Sequence, residues 1–173
     1  GATGMWMHSM ITLSSVLVSV LICFVIGVPL GVLASYNKWY RDIQNVVLDA
    51  MQTLPYFCYL IPVLMFFGGN IVSAVIATVI YSVPPIIRLT ALGLSQVSGG
   101  YSEVSKSFGG TGIQTLNKVK FPLAVPSLVM GFNQTVIMAF AMQIVTPLIG
   151  GKGLGLQVFN ALQRSDTGRG LSA

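Results

Sequence analysis

The chain has 173 residues, 54% of them hydrophobic and only 8% charged, against about 25% charged in an ordinary soluble domain. Nine Lys and Arg with four Asp and Glu cannot cover the outside of a domain of this size, so its outside faces lipid. A spanning helix takes about 20 apolar residues; four such segments use most of the chain and exclude a soluble catalytic domain, and a net charge of +5 in so apolar a chain points to anionic headgroups or cytoplasmic loops rather than nucleic acid.

The first span is expected over 10–34, charge-free and closed by Tyr36, Asn37, Lys38, Trp39, Tyr40 and Arg41, the aromatic and basic belt of a helix end at a membrane face. Gly27 and Gly31 flank Pro29, which fits either a close, kinked helix crossing or the general frequency of Gly and Pro in spanning helices. The second span, 46–67, carries Asp49, Pro55 and Pro62 and is expected to be bent or locally broken. Gly68, Gly69 and Asn70 make a tight turn, and the third span, 71–89, should break at Pro84-Pro85 with Arg88 at its boundary. The fourth, 127–149, is uncharged but contains Asn133, Gln134, Thr135 and Gln143, whose amides need partners in a protein interface or a wet pathway. Successive helical positions turn by about 100°, so 133–135 cannot all share one seam; Asn133, Gln134 and Gln143 are the candidate pathway residues, with a bundle-holding hydrogen bond as the alternative. Tyr56, Phe57, Tyr59 and Tyr81 offer a weak transient site or plain packing and lipid contact. Cys23 and Cys58 fall in apolar runs and are too few for a disulfide framework.

Lys38, Arg41, Arg88, Lys106, Lys118 and Lys120 fall on one side of this arrangement and Lys152, Arg164 and Arg169 on the other, which places the 90–126 segment in the cytoplasm. The tail beyond Gly150 is then external, with Leu156, Phe159 and Leu162 at the spacing of a short amphipathic helix on the interface. The chain begins with Gly, and no charged n-region, short apolar stretch and cleavage site precede the first span. It reads as an excerpt of a membrane domain covering 1–173.

The stretch 96–126 is the one long polar connection, well above the usual loop length. Ser102 is placed to cap a helix starting at Glu103, with Gly109-Gly110 stopping it after Phe108. Thr111, with Gln114 three residues on, forms a capping box for a second helix that Pro122 should end.

Within this stretch Glu103, Val104 and Ser105, three further residues, Gly109, nine further residues, then Val119, Lys120, Phe121 and Pro122 resemble the EAA motif of bacterial ABC importer permeases. The strings from Leu48 to Pro55, from Pro84 to Thr90, Asn133-Gln134-Thr135 and from Gly150 to Gly155 are similar to the glycine betaine/proline branch of that family. The resemblance departs where Val104 and Ser105 replace two alanines and where the chain stops short of a further span. It implies an all-α, polytopic, type I importer-like fold in the bacterial inner membrane, a homodimer-lined pathway, a cytoplasmic ATPase partner that binds the ATP, and an external substrate-binding protein. It implies that Glu103, Ser105, Gly109 and Pro122 belong to a coupling segment docking on that ATPase: Glu103 as its polar contact, Gly109 as its turn and Pro122 at the exit toward the fourth span. Read from the residues alone, Glu103 is equally a first-turn dipole partner and Gly109 a helix stop.

No G-x-x-x-x-G-K-[ST] occurs, so the glycine runs at 109–112 and 150–153 are turns and not phosphate cradles. His8 is the only histidine, leaving no base or ligand set for intramembrane hydrolysis or zinc. No cofactor, metal or nucleic acid is expected. The rival readings are an ABC permease for methionine or another small amino acid and, in a different class, a channel or ion-coupled carrier, which hydroxyls and carbonyls alone can support.

Overall fold

The computed structural model describes residues 2–97, 99–149 and 154–163, and every regular element among them is helical. α1 (Ala2–Tyr36) contains no Asp, Glu, Lys or Arg and runs through Pro29 without a break. Val16, Val20 and Cys23 are buried while Leu17, Leu21 and Val25 are exposed, two faces of one helix set by its period. The Asn37 side-chain oxygen accepts the backbone N–H groups of Trp39 and Tyr40 at 3.0 and 3.4 Å, capping α2 (Lys38–Thr53). The helical path then breaks around Pro55, and α3 (Phe57–Phe67) continues through Pro62 to Gly68, whose φ of 71° suits glycine. The second apolar segment is thus broken as expected, at its first proline, and its helix starts at Lys38 rather than near 46.

Asn70 accepts the Ser73 N–H at 2.9 Å at the start of α4 (Ile71–Gln96). The break expected at Pro84-Pro85 does not occur, and Arg88 lies well inside the helix. Residues 82–87 are all buried, and in such packing neighbouring helices can hold a helix whose two prolines each remove one hydrogen bond. α5 (Gly99–Ser107) and α6 (Gly112–Thr115) follow, then a π turn over Leu116–Lys120 that leads directly into α7 (Phe121–Gln143). The fourth apolar segment therefore ends at Gln143 rather than 149, and Thr146–Ile149 form a 3-10 turn. α8 (Leu154–Gln163) is the helix expected from Leu156, Phe159 and Leu162; the glycine run 150–153, with Lys152, and Arg164 and Arg169 lie outside the described residues. Among the described residues three stretches, Trp6–Tyr36, Ile71–Gln96 and Gly112–Gln143, are long and apolar enough to cross a membrane, and the broken pair α2 and α3 would make a fourth span.

The chain divides into two compact units. The first comprises Gly1–Cys23, Gln52–Ser82 and Val136–Ala173. In its described part Leu60, Val63, Ala74, Ala77 and Met142 form one buried cluster, flanked by Ile76, Ile80, Tyr81 and Val145, and Val16, Val20 and Ala139 form another. Its described residues include no Asp, Glu, Lys or Arg. The second unit comprises Phe24–Met51 and Val83–Thr135, around Leu94, Ala124 and Leu128. Glycine brings its helices into close approach. A methyl added at Gly31 would lie 2.7 Å from the Ile87 carbonyl oxygen and 2.8 Å from Thr90 Cγ2, and one at Gly93 would lie 2.6 Å from Ser127 Cβ. The Gly27 and Gly31 pair is therefore a helix crossing, with α4 as its partner.

Candidate functional site

The 96–126 segment lies wholly in the second unit. α5 begins at Gly99, so Ser102 is a residue within the helix and not its cap, and the first turn holds no acid. The extra turn places Tyr101 three, four and seven residues before Val104, Ser105 and Phe108, the spacing of one helix face. That face explains the earlier start: the four residues line a hollow of about 460 Å³ together with Gly110, Gln114, Lys118 and Val119. Glu103 is exposed in mid-helix, which removes the first-turn dipole reading and leaves its carboxylate on the surface.

The end of α5 is built by glycine. Gly109 has φ of 76°, and the Gly110 N–H reaches back to the Ser105 carbonyl oxygen at 2.9 Å, the closure of a Schellman motif. A methyl at Gly110 would come within 2.7 Å of both the Ser105 carbonyl and hydroxyl oxygens. Thr111 then caps α6 as expected. Its hydroxyl accepts the Gln114 N–H at 3.4 Å while the Gln114 side chain accepts the Thr111 N–H at 2.9 Å. Thr115 donates its hydroxyl to the Thr111 carbonyl oxygen at 3.0 Å, so across the 2.8 Å contact between the two hydroxyls it is Ser105 that donates. Ser105 thereby ties α5 to α6, a role its replacement of an alanine does not announce.

Pro122 does not end the second helix; it is the second residue of α7. The physical reason sits one turn earlier. In the π turn the Phe121 N–H bonds the Leu116 carbonyl, five residues back, and this wider turn relieves the crowding a proline ring imposes on the carbonyl four residues before it. Lys120 Nζ stands 5.9 Å from the centre of the Tyr36 ring, joining the π turn to the end of α1 by a cation–π contact. Phe108 is 89% and Ile113 73% exposed, large apolar side chains on a polar connection.

Asp49 of α2 and Arg88 of α4 form an ion pair in a second hollow of about 360 Å³ that Arg41, Asn45 and Ser95 also line. Their separation of 39 residues hides this pair from any local reading. Of the pathway candidates, Asn133 and Gln134 are exposed while Thr135 is buried, the splay that helical geometry requires. Gln143 is only 6% exposed, and its side-chain oxygen stands 3.5 Å from the Thr146 hydroxyl, so its amide is enclosed within the first unit.

The family model for the binding-protein-dependent transport system inner membrane component matches residues 27–172. The chain belongs to this family. It is thus part of a multi-pass inner-membrane transport component, and the family expected from the spacing between Glu103 and Pro122 is the one found. The chain is 44% identical over 168 residues to the glycine betaine/proline betaine transport system permease protein ProW of Escherichia coli, covering 97% of this chain and 48% of that protein. It is 41% identical over 170 residues to the glycine betaine transport system permease protein OpuAB of Bacillus subtilis, covering 98% of this chain and 60% of that one. The chain therefore spans between about half and three-fifths of the length of these relatives. A chain of the inward-facing MetNI methionine ABC transporter superposes with a TM-score of 0.83 at 24% identity, over 94% of this chain and 82% of that one, a likeness of fold.

Proposed function

We propose that the chain is the membrane-spanning core of an importer permease that moves a small compatible solute, with glycine betaine, proline or choline as the substrate class, across the inner membrane. A separate cytoplasmic ATPase binds the ATP and docks on the 96–126 segment, an external binding protein delivers the solute, and two permease copies line the route in lipid. The chain itself catalyses no reaction. The relatives' names support the substrate class. The observation that carries the coupling role is the hollow beside exposed Glu103, walled by Tyr101, Val104, Ser105 and Phe108 and held in shape by the Gly109 turn, the Ser105–Thr115 tie and the Thr111 capping box. Glu103 supplies the polar contact, Ser105 and Gly109 hold the bend, and Pro122 with the π turn passes its movement to α7. Asn133 and Gln134, exposed on α7, line the route, whereas Gln143 supports it from inside.

In the full-length protein with its ATPase, Glu103→Lys should lower ATPase association and uptake by about tenfold or more while membrane insertion is unchanged. Gly109→Pro, which no proline can accommodate at positive φ, should abolish both. Co-purification and uptake in proteoliposomes measure this, and parental uptake in both variants would sink the docking role.

A further inference from the structure

Tyr56, at the break before α3, and Tyr81 of α4 line a hollow of about 220 Å³ with Ala141, Met142, Ile144 and Val145. The two rings stand at 84° with centroids 6.5 Å apart, and Tyr59 packs against Tyr81 at 6.2 Å. Tyr81 and Val145 rest on the buried cluster that contains Met142, so the walls are positioned by the core of the first unit rather than left to float in lipid. The volume lies below the roughly 300–1,000 Å³ of sites for drug-sized ligands and suits a small solute. Tyr56 sits in a proline-interrupted helix, the kind of discontinuity at which transporters place their binding sites.

Charge decides the chemistry. With no Asp, Glu, Lys or Arg among the described residues of this unit, a strongly hydrated cation such as sodium or a primary ammonium finds no counter-charge to offset its lost water. A quaternary ammonium has no N–H to satisfy, is weakly hydrated, and is drawn to aromatic ring faces. A carboxylate on the same molecule can take hydrogen bonds from the phenol hydroxyls. We propose that this hollow is a low-affinity site for a quaternary ammonium head group, the transit position of the solute inside the permease. The assignment of that head group to the cargo rests on the substrate class proposed above; the site itself rests on the rings and the uncharged side chains that line the hollow.

The test uses the purified full-length permease with its ATPase in lipid nanodiscs, without binding protein. Saturation-transfer NMR follows the methyl protons of tetramethylammonium and of glycine betaine, with glycine as the unmethylated control. Transfer should reach both methylated probes and not glycine. Tyr81→Leu should weaken binding about tenfold, the loss of one ring, while Tyr81→Phe retains it. Should Tyr81→Leu reduce the yield of folded complex, Tyr56→Leu, at a position already 38% exposed, replaces it with the same expectation. Equal binding by parent and Leu variant, or no transfer to tetramethylammonium, overturns the site. Uptake of glycine betaine by the parent with its binding protein is measured in parallel. Uptake without methyl transfer overturns the site and leaves the substrate class standing; ring-dependent binding of tetramethylammonium without betaine uptake upholds the site and overturns the substrate class.

Discussion

Asp49 and Arg88 meet from two helices with side chains 63% and 37% exposed. In water such a pair would contribute about 0–1 kcal/mol. Its value lies in what each partner does for the other. Arg88 Nε is buried and finds no hydrogen-bond partner, so the guanidinium depends on Asp49 at its outer end. Removing one partner strands the other, whereas removing both does not. Asp49→Leu should therefore lower the melting temperature of the full-length protein in nanodiscs by roughly 2–4 °C, and adding Arg88→Leu should restore most of that loss. A double variant less stable than the single one would show that the two side chains act separately.

At the scale of the element, helix ends obeyed local chemistry where it was strong. The Thr111 and Gln114 box was readable because both partners lie within one turn, and it formed as read. Thr111→Ala should cost about 1 kcal/mol of local stability, seen as roughly fivefold faster hydrogen exchange at the Gln114 amide; unchanged exchange would mean that Ser105 alone holds α6. The misread ends share a cause. Ser102 has the side chain of a good cap, but the helix starts three residues earlier, at Gly99, and carries Tyr101 on the face with Val104, Ser105 and Phe108. Pro84, Pro85 and Pro122 looked like stops because the rule for proline describes exposed helices, whereas burial around α4 and the π turn before α7 absorb the missing bonds. The same division holds more widely: the spacing and glycine turn of 96–126 lie along the chain, while the Ser105–Thr115 tie and the Asp49–Arg88 pair join residues 10 and 39 apart that only folding brings together.

For the whole molecule, the distribution of basic residues predicts which ends of the helices see the cytoplasm. In full-length protein lacking Cys23 and Cys58, a cysteine replacing Lys152 or Arg164 should react with an impermeant thiol reagent added outside, and one replacing Lys106 or Lys118 should not. Labelling of the second pair alone would invert the orientation and move the coupling segment away from any ATPase. The absence of Asp, Glu, Lys and Arg among the described residues of the first unit has an electrical consequence as well. A membrane potential does work of about 2.3 kcal/mol on each elementary charge carried through 100 mV, and the described side chains of that unit carry no fixed charge for it to act on. A rearrangement of those described residues moves no Asp, Glu, Lys or Arg through the field, so a membrane potential neither drives nor opposes it.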